Sequence, residues 1–149
     1  MDSLNKINFP YITSVRFIND PKEGIAKSKR ATGELVLNKF YWNKLKPEHK
    51  VYVVGHESGH IRYNTKDEML ADDYASRLYL NAGGSITESI RALSDHLDRN
   101  NPVHIARAWL QYNRALKFDY EHNHNKKTFR PHYDSADDVK RKFLSNGKQ

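Results

Sequence analysis

Apolar residues along this chain gather in short runs near the start and recur with a period near 3.6 for most of the remainder. Ile12 to Ile18 and Glu34 to Leu37 are short runs rich in β-branched or apolar residues, separated by a stretch holding Gly, Lys and Pro. They read as two strands of a small sheet. Pro47 suits a first helical position, and Val51, Val54 and Gly55 make an apolar, small-residue face leading into His56, in a helix expected to end shortly after His60. Thr65-Lys66-Asp67-Glu68 has the form of a capping box, after which Leu70, Ala71, Tyr74, Ala75 and Leu78 recur with helical spacing until Gly83-Gly84. Ser85 or Thr87 opens a third helix, with Ile86, Ile90, Leu93 and Leu97 on one stripe. Asn101-Pro102 precedes a fourth, whose expected buried face is Ile105, Trp109, Tyr112 and Leu116.

The expected fold class is therefore α+β, a small N-terminal antiparallel or mixed sheet packed on a mostly helical domain. At 149 residues the chain suits one domain, placed at 1–121. Beyond it, 122–149 is rich in Asn, His, Lys and Pro and reads as a basic, loosely ordered extension with a short helix from Ser135 to Phe143.

Composition narrows the chemistry. The chain has no cysteine, which excludes disulfides, thiolate metal sites and cysteine nucleophiles and leaves His, Asp and Glu as metal ligands. The net charge of +7 permits attraction to nucleic acid or acidic partners. Its positive residues are dispersed among acidic ones, however, with clusters only at 22–30 and in the C-terminal region, and no nucleic-acid-binding motif accompanies them. Nucleic-acid binding is a secondary expectation. Met1 to Val15 has no apolar signal core and no stretch has the length of a membrane span, so a cytoplasmic protein without a membrane association is expected.

The run His56-Glu57-Ser58-Gly59-His60 carries the most specific chemistry. A spacing of four residues puts two imidazoles on one helical face, and the carboxylate between them can reach a metal-bound water. A catalytic zinc site takes three protein ligands, so a third must be found. The downstream carboxylates Asp67, Glu68, Asp72 and Asp73 are the candidates, and Glu68 and Asp72 share a face because they are four apart. Such a pair can supply one direct ligand and one partner for the outer nitrogen of a ligating imidazole.

Followed by Glu68-Met69-Leu70-Ala71-Asp72-Asp73, this motif resembles the gluzincin metallopeptidases, in which H-E-x-x-H precedes E-x-x-A-D on a second helix. Small ImmA/IrrE-like members are among them. The resemblance implies zinc held by His56, His60 and Glu68, with Asp72 supporting a ligating His and Glu57 as general base in peptide-bond hydrolysis. It also implies a sheet edge along which a peptide or protein substrate lies, for which Gly33 to Asn38 is in the appropriate place. The connection from His60 to Glu68 is short and demands a tight turn, leaving Asp72 as the alternative ligand. Position 63 is Tyr and position 66 is Lys, which excludes the metzincin extension.

An oxyanion donor is not singled out: His96, His104, Arg107, Tyr112 and Tyr120 are all available. Two other function classes compete with hydrolysis. One is a binding or structural protein clamped by zinc without turnover, favoured if a further His filled the fourth coordination position. The other is a basic nucleic-acid accessory protein, whose binding would be steeply salt-dependent and indifferent to metal.

Overall fold

In the computed structural model, which describes residues 7–122, the chain is α+β, as its periodicity implies. Its elements are β1 (Ser14–Ile18), β2 (Ala26–Lys29), β3 (Glu34–Asn38), α1 (Lys39–Trp42), α2 (Pro47–Tyr63), α3 (Glu68–Asn81), α4 (Ile86–Ser94) and α5 (Pro102–His122). Two compact units divide it, Met1–Gly84 and Ser85–Gln149. The expected boundary at 121 falls beside the last described residue, and the extension with its helix from Ser135 to Phe143 lies outside the described residues. No described helix is long and apolar enough to cross a membrane.

In the first unit, β3 runs between the other two strands, parallel to β1 and antiparallel to β2. Leu35, Val36, Leu37 and Asn38 are consecutively buried, which requires cover on both faces and marks a central strand. The expectation that Gly33 to Asn38 forms a sheet edge is thereby corrected. Both sides of β3 are already hydrogen-bonded, so its ladder cannot accept another strand. Among the described residues the edges are β1 and β2.

Strand β2 lies inside the stretch expected to be a loop. Ala26 and Ser28 pair opposite Leu37 and Leu35 and are half-buried, while Lys27 and Lys29 face away and are exposed. The alternation is present, but its inward residues are too small and polar to register as a hydrophobic period. Asn38 closes the sheet locally. Its buried side chain donates to the carbonyls of Asp20 (2.6 Å), Glu23 (3.2 Å) and Gly24 (3.1 Å), and accepts from the Phe40 backbone at the start of α1.

Helix α2 begins with Pro47 at its first turn, as the sequence implies, and ends at Asn64 in the left-handed conformation (φ 46, ψ 55). There Asn64 N–H bonds Ile61 O (3.2 Å) and Thr65 N–H bonds His60 O (3.1 Å), the paired arrangement of a Schellman motif. That motif is the tight turn the short connection requires. Helix α3 is capped by Asp67, whose side chain accepts from Met69 N (2.9 Å) and Leu70 N (3.3 Å); Thr65 instead accepts from Asp67 N (3.0 Å). Glu68 is then the first helical residue, with its carboxylate beside the histidines of α2 rather than on its own cap.

The two helices meet through small residues. A Cβ built on Gly55 would lie 3.3 Å from Ala75, and one on Gly59 only 3.1 Å from the Ala71 Cα and 3.2 Å from Tyr74. Close approach of the axes needs both glycines. The buried Tyr52 hydroxyl adds a bond to the carbonyl of Asp72 (3.3 Å).

In the second unit, Ser85 caps α4 by accepting from Glu88 N (3.3 Å), and Asn101 accepts from Val103 N (2.9 Å) at the start of α5. The buried Gln111 amide donates to Ser89 O (2.9 Å), tying α5 to α4. The buried face of α5 differs from the expected one. Leu116 is buried, but Ile105, Trp109 and Tyr112 are only half-buried, while Ala106, Leu110 and Ala115 are fully enclosed. Trp109 and Tyr112 pack edge to face at 5.8 Å and line a shallow apolar groove with Ile90 and Ala108. Large aromatics set the apparent period, whereas small residues occupy the closest contacts.

Candidate metal centre

Helical spacing places His56 and His60 on one face of α2, with rings edge to face and centroids 4.7 Å apart. Their Nε2 atoms lie 3.1 Å from each other. Glu68, delivered by the Schellman turn, reaches both: Oε1 is 2.9 Å from His60 Nε2 and Oε2 is 3.3 Å from His56 Nε2. One turn further along α3, Asp72 Oδ1 sits 2.8 Å from His56 Nδ1, and its side chain is only 1% exposed. His56, Glu57 and His60 each offer a ligand atom within 4.8 Å of the others, a group that could hold a metal ion.

The outer nitrogens decide what the inner ones do. His60 Nδ1 lies 2.8 Å from the Thr65 carbonyl, an oxygen that only accepts, so this nitrogen carries the hydrogen. The Asp72 carboxylate makes the same demand on His56 Nδ1. Neutral imidazoles in these tautomers direct two Nε2 lone pairs toward one another and toward a carboxylate. That convergence of acceptors needs a cation or a proton between them. Without a metal, the protonated form of His56 is favoured. Burial opposes the charge, but Asp72 and Glu68 outweigh it and hold the imidazolium up to about 9. His60 is likewise raised against the effect of burial, by Glu68 and the Thr65 carbonyl.

No family model matches this chain, and no curated protein or solved structure does either.

Glu57 points into a different environment from Glu68. Its carboxyl is buried, 7% exposed, and burial pushes it above the ordinary carboxylate range despite His56 and His60 nearby. Glu68 repels its charge as well, and a hydrogen bond from Ser28 of β2 partly compensates. Glu68 is 45% exposed and stands at the open side of the cluster. Asp67 and Asp73 have other partners: Asp67 caps α3, and Asp73 pairs with Arg77 at 2.9 Å.

Two contributors escape a reading of the sequence. Ser28 belongs to the strand that was hidden among lysines. The Thr65 carbonyl is a backbone group, although an Asn at the end of α2 is a usable sign of a left-handed turn that would fold it back. Of the candidate oxyanion donors, His104 accepts at Nδ1 from Asp98 N (2.9 Å), and Arg107 is buried; both belong to the second unit with His96, Tyr112 and Tyr120.

Proposed function

We propose that this protein is a zinc-dependent peptide hydrolase of the gluzincin kind, with His56, His60 and Glu68 as ligands. The observation that carries the reading is the triangle formed by two Nε2 atoms and the Glu68 carboxylate, with sides of 3.1, 2.9 and 3.3 Å. Tetrahedral zinc with bonds of about 2.0–2.1 Å sets its ligand atoms roughly 3.3 Å apart, so small outward shifts fit the group to that ion. All-nitrogen-and-oxygen donors with no thiolate agree with a catalytic rather than a structural zinc.

When bound, such an ion lowers the pKa of a coordinated water to about 7 and polarises a carbonyl. Glu57 supplies the base. Burial raises its proton affinity toward the range useful for accepting a proton from water and passing it to a leaving amine. A site that only clamps two helices has no use for a buried carboxyl next to its ligands. Asp72 and the Thr65 carbonyl hold the imidazoles in the tautomers that present Nε2. The peptide substrate lies along the edge of β2 rather than β3, since Ser28 on β2 touches Glu57 and that edge pairs with no other described strand.

The test pairs metal content with proteolysis in the wild type, Glu57→Gln and Glu68→Ala. Hydrolysis requires that Glu57→Gln keep zinc and lose cleavage, and that Glu68→Ala lose much of both. Full retention of function by Glu57→Gln would transfer the assignment to a zinc-stabilised binding protein.

A further inference from the structure

On the first unit, a surface cavity of about 580 Å³ is lined by Arg62, Arg77, Tyr63, Tyr74, Asn8 and Asn81, the remaining lining being apolar. This is within the size range of small-molecule sites, and among the described residues no acidic one lines it. Its residues are distinct from those of the metal centre.

The arginine donors are held in place by protein partners, and the two amides are uncommitted. The Arg62 guanidinium stacks against Tyr11 (5.0 Å), Tyr63 (5.2 Å) and Tyr74 (5.8 Å) and donates to the Tyr11 hydroxyl, contacts that orient it toward the cavity's rim. Arg77 pairs with Asp73, and its side chain is 74% exposed. Among the described residues, the Asn8 and Asn81 side chains have no hydrogen-bond partner. Tyr63 is 45% exposed and offers a ring face beside these donors.

Charge decides the class of ligand. The C-terminal end of α3 at Ala82 contributes roughly half a negative charge, and Asp73 offsets part of Arg77. Arg62 remains as a full positive charge with no described carboxylate against it, so the balance among the described residues favours an anion. Guanidinium forks match phosphate and carboxylate oxygens, and phosphate makes fuller use of two arginines and two amides than a carboxylate does.

We propose that this cavity binds a phosphate-bearing anion between Arg62 and Arg77, with Tyr63 as a stacking face for any ring the ligand carries. The shared chemistry is the phosphate group. Two probes distinguish its sources: inorganic phosphate alone, and adenosine monophosphate.

Calorimetric titration of the 149-residue protein at low salt is the test. Saturable binding of at least one probe, with Kd below about 1 mM, is expected, weakened at least tenfold by Arg77→Gln. Equal affinities identify free phosphate as the ligand. Tighter binding of the nucleotide, lost on Tyr63→Ala, identifies a ring-bearing phosphate. Zinc content should stay unchanged in both variants, which are at exposed positions. Absence of saturable binding of both probes to the wild type overturns the proposal, and so does binding that Arg77→Gln leaves unaltered.

Discussion

Gly59→Ala tests whether the metal centre depends on the distance between α2 and α3. A Cβ at this position meets the Ala71 Cα at 3.1 Å and Tyr74 Cβ and Cδ1 at 3.2 Å, against an ordinary contact distance of 3.4–4 Å. One neighbour is backbone and another is the root of a side chain, so α3 has to move by a few tenths of an ångström. Two effects on stability oppose one another. Alanine improves helix propensity by about 1 kcal/mol, while overpacking costs about 1–3 kcal/mol. The net change in stability of the metal-free fold is therefore small, from about zero to 2 kcal/mol of loss.

Metal binding has no such compensation. Glu68 and Asp72 flank Ala71 on the same helix and move with it, and ligand distances tolerate only about 0.2 Å. Zinc affinity is expected to fall about tenfold, or about 1.4 kcal/mol. Competition against a chromophoric chelator gives Kd, and thermal unfolding of the metal-free protein gives the stability in parallel. Gly24→Ala serves as the control, because nothing lies within 4 Å of its added Cβ. A Gly59→Ala protein that unfolds at a higher temperature and binds zinc as the wild type does would refute the claim that the glycine sets the site.

Further outcomes follow from the same geometry. Asp72→Asn preserves volume at a fully buried position but removes the charge facing His56 Nδ1, so zinc affinity should drop about 10- to 100-fold in a chelator competition; an unchanged Kd would remove Asp72 from the site. With His56 held up to about 9, against 6.5 unperturbed, the metal-free fold gains stability that is complete below pH 6.5 and is lost as pH rises through 9. Zinc must displace that proton, so its apparent affinity should climb about tenfold per pH unit between pH 7 and 9, which titrations across that range would show or deny. Finally, Asn64→Val forces a β-branched residue into φ 46 and should cost about 1–2 kcal/mol while loosening the Thr65 carbonyl on His60. Asn64→Gly should be close to neutral in the same melting experiment.

What could be read from the sequence was whatever a helical period converts directly into geometry. His56 and His60 at a spacing of four, Glu68 and Asp72 at the same spacing, and Pro47 at the start of α2 all translate into relative positions without knowledge of the tertiary fold. The α+β class followed from short β-branched or apolar runs giving way to helical spacing. Features that depend on partners were harder to see. Ala26-Lys27-Ser28-Lys29 is a strand because β3 stands beside it and α2 lies over its small residues, and neither fact is written in those four residues. Missing β2 is what made β3 look like an edge. On α5 the large Trp109 and Tyr112 dominate the apolar pattern, while the small Ala106 and Ala115 are the residues fully removed from solvent.

The candidate site joins both kinds of information. Two of the proposed ligands come from one helix and are fixed by its period, but Glu68 comes from the next helix and converges only if three separate conditions hold. The chain must reverse within a few residues, which Asn64 achieves by adopting a left-handed conformation that most residues resist. The axes must approach closely, which Gly55 and Gly59 permit against Ala71 and Ala75. The α3 cap must fall on Asp67 rather than Glu68, leaving the Glu68 carboxylate for the histidines. None of these residues touches a metal in the proposed arrangement, yet each one controls whether a carboxylate arrives at about 3 Å from two imidazole nitrogens. The H-E-x-x-H spacing alone is therefore only half of the argument for a metal centre; the turn and the two glycines that bring α3 onto it supply the other half.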